Sequence, residues 1–364
     1  MSAVTPGTLV MFLVAGLLLY LAIAKEYEPS LLLPIGFGAL LGNLPNSPLN
    51  HPGGLLYMLN EFGVKTELFP LFIFVGIGAL MDFTPLLSQP IFALMGAAGQ
   101  LGIFATLILA TWIRFPLNQA ASIAIIGAID GPTSIYVSSL LSPELLAPIA
   151  VTAYSYMSLV PIIQPPIMRL MTTRAERRIR MEYTPRPVPR AAVIAFPIIV
   201  TVAVGLIVPQ SAPLISTLML GNLLKESGVV QRLSSTAANE ITNISTLFLG
   251  LAIGSLMQAE AFLRVQTLAI LLLGLGAFVF DTVAGLLFGK LLAVLTRGKI
   301  NPLVGAAGIS AFPMSGRLVQ KIAQEEDFTN HVLMHAMGAN TAGQLGSVIA
   351  GGILLALVTR FLAH

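Results

Sequence analysis

Asp130 is the residue in this chain with the most chemistry to offer, because it sits inside an apolar run. The stretch reads Ile125-Ile-Gly-Ala-Ile-Asp-Gly-Pro-Thr-Ser-Ile-Tyr136. A carboxylate at the centre of a bilayer costs about 2.5–3.5 kcal/mol on insertion scales, and such acids mark ion or proton pathways. Gly131-Pro132 follows at once and breaks any helix there. Pro132 has no amide to donate and clashes with the preceding turn, which leaves carbonyls unpaired. Broken backbone at membrane depth is tolerated where it lines a cavity. Free carbonyls, one carboxylate, Thr133 and Ser134 make a hard-oxygen site suited to Na+, or to a proton competing for Asp130. The same residues also fit a buried helix cap. A cap alone needs only Ser or Asn, at lower cost in lipid, so the ion site is the stronger reading.

Two further clusters carry neutral oxygens. Asn301-Pro-Leu-Val-Gly-Ala-Ala-Gly-Ile-Ser-Ala-Phe-Pro-Met-Ser-Gly-Arg317 has no acid. It offers Asn301, Ser310 and Ser315, a break at Pro313, and Arg317 beyond. In His335-Ala-Met-Gly-Ala-Asn-Thr-Ala-Gly-Gln-Leu-Gly-Ser347 the residues Asn340, Gln344 and Ser347 share one helix face. They fit either ion ligands or interhelical hydrogen bonding beside the small residues Gly338, Gly343 and Gly346. Tyr154 and Tyr156 read first as hydrogen-bonded packing residues. Asp281 is a second intramembrane acid, ranked below Asp130 because no break lies beside it. Asp82 ends its apolar run and faces the interface. His331 and His335 are one helical turn apart, but no acidic third ligand follows, so packing is preferred to zinc. The absence of cysteine excludes disulfides, thiolate nucleophiles and Cys-ligated metals.

The elements that must position these residues are membrane helices. Of 364 residues, 10% are charged, where a soluble domain carries about 25%. The hydrophobic share is 56% and the mean hydropathy is +0.88. The composition excludes a soluble enzyme and a disordered chain, and predicts an all-α polytopic membrane protein. The isoelectric point near 9.3 comes from a net charge of only +3. That excess is concentrated in one loop, a pattern of membrane topology and not of nucleic-acid binding. Thr8–Ala24 has no small-residue cleavage site after it and is read as the first transmembrane helix. Eleven more apolar segments are expected: Ser30–Leu44, Glu67–Met81, Ile91–Trp112, Asn118–Leu141, Leu145–Met168, Ala191–Val208, Pro213–Leu224, Ile241–Met257, Val265–Leu295, Asn301–Val319 and Val332–Leu362. Some are too short to cross unaided or are broken by Gly and Pro, so the expectation is about 10–12 segments with broken or re-entrant helices.

The chain divides at Arg169–Arg190. This loop holds seven arginines against Glu176 and Glu182, and Thr184–Pro189 marks it as an extended linker. It is expected in the cytoplasm. On either side the sequence repeats. Leu41-Gly-Asn-Leu44 matches Leu220-Gly-Asn-Leu223. Leu71-Phe-Ile-Phe-Val-Gly-Ile-Gly-Ala-Leu-Met81 matches Leu247-Phe-Leu-Gly-Leu-Ala-Ile-Gly-Ser-Leu-Met257. Gly127–Ser134 matches Gly308–Ser315. The order is the same and the offset is 176 to 181 residues. The expected organisation is a first repeat over 1–168, a basic linker over 169–190 and a second repeat over 191–364. Inverted repeats are favoured over parallel ones, and duplicated membrane halves are the signature of transporters with a site between the repeats.

Five motifs carry a family resemblance: Gly127-Ala-Ile-Asp-Gly-Pro-Thr-Ser, Tyr154-Ser-Tyr, Gly221-Asn-Leu-Leu-Lys-Glu-Ser-Gly-Val-Val230, Asn301-Pro-Leu-Val-Gly and Met334-His-Ala-Met-Gly-Ala-Asn340. From about Tyr20 to Ile353 the chain resembles the β subunit of the biotin-dependent, sodium-pumping decarboxylases, which serve oxaloacetate, methylmalonyl-CoA, glutaconyl-CoA or malonate decarboxylation. The resemblance implies a prokaryotic inner-membrane, multi-pass subunit that decarboxylates carboxybiotin, exports Na+ and consumes a proton. The biotin is carried by a partner and is not covalently bound to this chain. The implied partners are a biotin carrier, a carboxyltransferase subunit and a small membrane-anchoring subunit, in a complex containing several copies of the chain. Carried over residue by residue, the ion and coupling positions fall on Asp130, Tyr156, Asn301, Gly305, Ser310, Arg317, Asn340 and Ser347, with Asp130, Tyr156 and Arg317 in the catalytic step. Arg317 either attracts the carboxylate of carboxybiotin or serves as a counter-charge. The competing class is a Na+/H+ or Na+/solute transporter that catalyses nothing.

Overall fold

The computed structural model describes residues 4–181 and 187–362; Glu182, Arg186 and the start of the Thr184–Pro189 stretch, with His364, lie outside the described residues. Among the described residues there is no strand. The helices that frame the site are α1 (Pro6–Ala24), α2 (Pro29–Gly42), α3 (Leu68–Leu80), α4 (Phe92–Ala98), α5 (Leu101–Trp112), α6 (Leu117–Ala124), α7 (Gly131–Leu141), α8 (Leu146–Met171) and the short α9 (Arg174–Arg177). After the linker come α10 (Arg190–Ile207), α11 (Ala212–Ser227), α12 (Thr242–Ser255), α13 (Val265–Leu295), α14 (Met314–Glu326) and α15 (Leu333–Leu362). Among the described residues six helices are long and apolar enough to cross a membrane, and a seventh span forms if Pro48–Val64 and Leu68–Leu80, bent by 60°, are taken together. The other apolar segments are shorter. The 14 residues of α2 reach only about 21 Å, less than a hydrocarbon core of about 30 Å. Two thirds of the spanning windows of α8 and α15 are buried, which makes them the central posts. In α10 only Pro197 is buried, and that helix presents its apolar surface outward.

The order of elements recurs on both sides of the linker. A peripheral helix (α1, α10) is followed by a short one (α2, α11). Next comes a helix preceded by a π-helical turn: Asn60–Val64 before α3, Ala237–Ile241 before α12. A long span follows, α4–α5 or α13. Then come a broken segment and a long central helix, α8 or α15. The matched Leu-Gly-Asn-Leu sequences make reciprocal contacts. Asn43 Nδ2 donates to the Met257 carbonyl at 2.7 Å, and Asn222 Nδ2 donates to the Met81 carbonyl at 3.1 Å. Lys225 Nζ adds a bond to Met81 O at 2.7 Å. Each asparagine thus satisfies a carbonyl that the end of a helix on the other side of the linker leaves unpaired.

Asn118–Leu141 does not cross. It folds back as a hairpin, with α6 and a 3-10 turn (Ile125–Ala128) descending and α7 returning. Its two arms are joined at the base, where Asn118 Nδ2 donates to Leu141 O at 3.0 Å and Gln119 Nε2 to Glu144 Oε1 at 3.0 Å, beside the start of α8. Asn301–Glu326 forms a second hairpin from a 3-10 arm (Pro302–Gly308) and α14. Asn301 and Asn330 flank it, and both donate to the carbonyls of Arg177 and Ile179 at 2.9–3.1 Å. Those carbonyls lie just past the other end of α8, whose 26 residues span about 39 Å. The hairpins therefore enter from opposite ends of the molecule. Their tips meet, with Ser310 N donating to Ala128 O at 3.2 Å. The basic linker grips the second hairpin through Arg169–Glu325, Arg177–Glu326 and Arg180–Asp327.

Candidate functional site

At the tip of the first hairpin the backbone reverses at Ile129, which adopts the left-handed conformation at φ 53°, ψ 43°. That region is unfavourable for a β-branched residue, by roughly 1–3 kcal/mol, and such strain concentrates at functional sites. It swings the next residue, Asp130, to the N-terminus of α7, where Pro132 occupies the first turn. Gly131 has no substitute here, because a Cβ at that position would overlap the ring of Tyr154 on α8.

Asp130 is 2% exposed. Its Oδ1 accepts the Thr133 amide at 3.3 Å. Its Oδ2 accepts from Thr133 Oγ1 at 2.7 Å, Gln344 Nε2 at 2.6 Å and Ser347 Oγ at 2.8 Å. The carboxylate is thus bonded both within its own hairpin and to α15, 214 and more residues away in sequence. An alkali cation can exchange with these same donors. Beside it lies a cavity of about 390 Å³ whose walls include Asp130, Gln344, Ser310 and Arg317, with Phe312, Pro313 and Met337. That volume suits a small molecule and exceeds what a bare ion requires. Among the described residues Arg317 makes no ion pair, so its guanidinium is available to an anion in this space. The cavity wall also includes Leu80, the last residue of α3. This helix end is held by Asn222 and Lys225 of α11, and α11 ends where Arg190 of the linker bonds Ser227. The Leu80 wall of the cavity therefore lies toward the linker end.

The other sequence-derived candidates are placed as follows. Ser310 lies at the second tip and donates to Gly343 O at 3.0 Å. Asn340 is buried and donates to Ala307 O and Ile309 O at 3.1 and 2.6 Å, while its Oδ1 has no donor among the described residues. Ser347 is on Asp130. Asn301 stands at the base of the second hairpin, where its Oδ1 caps Leu303 N at 3.0 Å and its amide holds the linker. Gly305 packs its backbone against Gly285 of α13. Tyr156 gives its proton to Leu271 O at 2.6 Å, away from the cavity, and Tyr154 is the tyrosine that touches the break. Asp281 accepts the Gly102 amide and so caps α5, where α4 and α5 are interrupted. Asp82 caps Thr84 at 2.8 Å. His335 stacks edge-on against Phe92, with centroids 5.7 Å apart, and His331 is exposed. Three residues take parts in the structure that the sequence did not assign them. Gln164 bridges Ala306 O and Ser315 Oγ at 2.7 and 2.8 Å. Gln100 bonds three carbonyls. Tyr154 seals the first tip. The two glutamines could have been found by the signal that exposed Asp130, a polar residue inside an apolar run.

An all-helical membrane protein whose two oppositely directed hairpins meet at a buried carboxylate belongs to the ion-translocating class. Residues 7–358 match the Na+-transporting oxaloacetate decarboxylase beta subunit, and the chain belongs to that family. It is similar to the methylmalonyl-CoA decarboxylase subunit beta of Propionigenium modestum, at 50% identity covering 96% of this chain and 95% of that one. It is similar to the glutaconyl-CoA decarboxylase subunit beta of Acidaminococcus fermentans, at 48% identity covering 98% and 94%. It is also similar to the oxaloacetate decarboxylase beta chain of Klebsiella pneumoniae, at 45% identity covering 97% and 95%. The chain is a bacterial multi-pass membrane subunit in which decarboxylation is coupled to Na+ transport.

Proposed function

We propose that this subunit decarboxylates carboxybiotin presented by a partner's carrier domain in the cavity beside Asp130, and exports Na+ through the meeting point of the two hairpins. Arg317 attracts the carboxylate of carboxybiotin. Loss of CO2 breaks the N–C bond and leaves the electron pair on the ureido nitrogen, which then takes a proton. Asp130 holds either that proton or Na+. Arrival of Na+ displaces the proton toward the ureido anion, so that chemistry and ion binding exchange through one carboxyl group. The observation that carries this reading is the pairing of Asp130 and an ion-pair-free Arg317 in one cavity larger than an ion needs. The same observation favours it over a transporter without catalytic activity.

The residues placed elsewhere have supporting parts. Asn340, Ser310 and Ser347 supply neutral oxygens around the tips, while Asn301 and Gly305 fix the arm that carries Ser310. Tyr156 positions the first hairpin from α8. The chain reads as two inverted repeats, 1–168 and 191–364, supported by hairpins that enter from opposite ends and by the reciprocal asparagine bonds. The linker, 169–190, faces the cytoplasm, where the biotin carrier and carboxyltransferase act. Chains acting with three different acids are similarly related to this one, which fits a subunit that handles the common carboxybiotin intermediate. The outward apolar surface of α10 accepts a small membrane-anchoring subunit or further copies of the chain. The test is Na+ uptake and decarboxylation by the complex in proteoliposomes, with Asp130→Asn beside wild type. The variant should retain the biotinylated carrier through purification and lose both activities, by about 10²–10⁴-fold for a positioned proton donor. Wild-type Na+-dependent decarboxylation in Asp130→Asn would remove the basis of the assignment.

A further inference from the structure

Gln100 occupies the interruption between α4 and α5 and is 4% exposed. Its Nε2 lies 3.3 Å from Gly96 O, 3.2 Å from Gly308 O and 3.3 Å from Gly343 O. These carbonyls come from three separate elements: α4, the second hairpin and α15. They converge because the glycines let the backbones touch: a Cβ at Gly343 would strike Gly308 O, and one at Gly308 would strike Met95 O. An amide nitrogen has two hydrogens, so three carbonyls share two donors. Meanwhile Gln100 Oε1 is buried and has no donor among the described residues. The amide oxygen is idle in Asn340 as well, but there the nitrogen meets only two carbonyls, one for each hydrogen. Three converging carbonyl oxygens are a cation's environment, and rings of such carbonyls replace the hydration shell of alkali ions.

We propose that Gln100 is a sodium ligand of the translocation pathway, a sodium ion exchanging with its –NH2 for the place among the carbonyls of Gly96, Gly308 and Gly343. Rotation of the terminal amide brings Oε1 in as a fourth neutral oxygen. The cage adjoins the Asp130 pocket, since Gly343 is followed by Gln344, the donor to Asp130, and Gly343 O also receives Ser310 Oγ. A sodium ion leaving the carboxylate therefore has a neutral station one residue along α15.

The inference rests on the sodium-coupled reading above, and the test separates the two. Purified complex is titrated with NaCl against choline chloride, following thermal unfolding and, in parallel, decarboxylation. Gln100→Met keeps length and removes both polar ends. It should raise the Na+ concentration for half-maximal thermal protection and for half-maximal rate about 10–100-fold, with the rate at saturating Na+ nearly kept. Gln100→Asn, which retains a shorter amide, should shift the Na+-over-Li+ preference. A lower melting temperature with unchanged Na+ half-saturation and unchanged Li+ preference reduces Gln100 to a staple and overturns the proposal. Should neither variant fold, a structure of the wild-type complex in saturating Na+ decides: an ion in the cage supports it, and a cage still filled by the amide overturns it. Asp130→Asn run alongside with wild-type Na+ dependence would instead fault the underlying reading.

Discussion

Three donors share one oxygen of Asp130, so any change in the charge of that group is felt by both the first hairpin and α15. Arg317 acts on the other reactant. Arg317→Ala should raise the KM for the carboxylated carrier while leaving the Na+ half-saturation in place, because the guanidinium bonds none of the ion-site oxygens. Steady-state kinetics at fixed Na+ resolves the two parameters, and a shifted Na+ requirement with unchanged KM would make Arg317 a counter-charge. Asn340→Ala and Ser310→Ala should do the reverse, raising the Na+ needed for half-maximal decarboxylation more than they lower the saturated rate. Loss of carrier binding with intact Na+ dependence would instead assign them to the biotin dock. Much of this site was legible in the sequence. Asp130, Gln344 and Ser347 declared themselves as polar groups in apolar runs, the last two at helical spacing. Tyr154, Gln100 and Gln164 were harder to assign because their partners are a glycine or backbone carbonyls far away in the chain. No residue-type pattern encodes a carbonyl partner.

The linker is bound to the second hairpin by charge and by geometry, and this sets how the element responds to pH. Asp327 is pulled down to about 2 by hydrogen bonds from Arg180 and Thr329, and Glu326 is lowered by its bond to Arg177. Both groups have folded-state values below their ordinary ones, near 3.8 and 4.5. Their stabilisation is complete above that range and is lost as pH falls through the folded values. The melting temperature of the purified chain should therefore hold steady down to about pH 5 and fall between about pH 4 and 2, and Arg180→Ala should flatten part of that fall. Exchanging charges across the clamp is a second check. Arg177→Glu should lower the melting temperature, and Glu326→Arg added to it should restore only part, because Arg177 also donates to Thr172 O. Full restoration would mean that the carbonyl contact carries no weight. At this scale the sequence predicted α13 to its end residues, since a largely apolar run of 31 residues allows one solution. It read Asn118–Leu141 and Asn301–Val319 only as apolar segments that need not cross. Hydropathy measures whether a segment can enter lipid, and the direction in which it leaves depends on bonds such as Asn118 to Leu141 and Asn330 to Arg177.

Across the whole molecule, the ends of α8 separate two surfaces, one holding the base of the first hairpin and the other the base of the second. The cavity reaches from Asp130 to Leu80, on the linker side; on the other side α7 is buried from Gly131 to Ser138 and Tyr154 packs against the break. On the reading proposed above, export requires the hairpins to move relative to one another, so that the shared tip opens to the far side. The chain has no cysteine, so single substitutions report cleanly. Glu144 sits at the base of the first hairpin, and Phe328, exposed, follows α14 at the base of the second. Glu144→Cys should react with a membrane-impermeant maleimide in right-side-out vesicles and be protected in inverted ones, and Phe328→Cys should show the opposite pattern. Labelling of both positions from one side would place the two hairpins on the same face and remove the route for alternating access. Leu80→Cys, on the cavity wall, tests the motion itself. It should label from the Phe328 side in resting vesicles, and more slowly during turnover, when the cavity spends part of each cycle closed to that side; an unchanged rate would mean that the halves do not move.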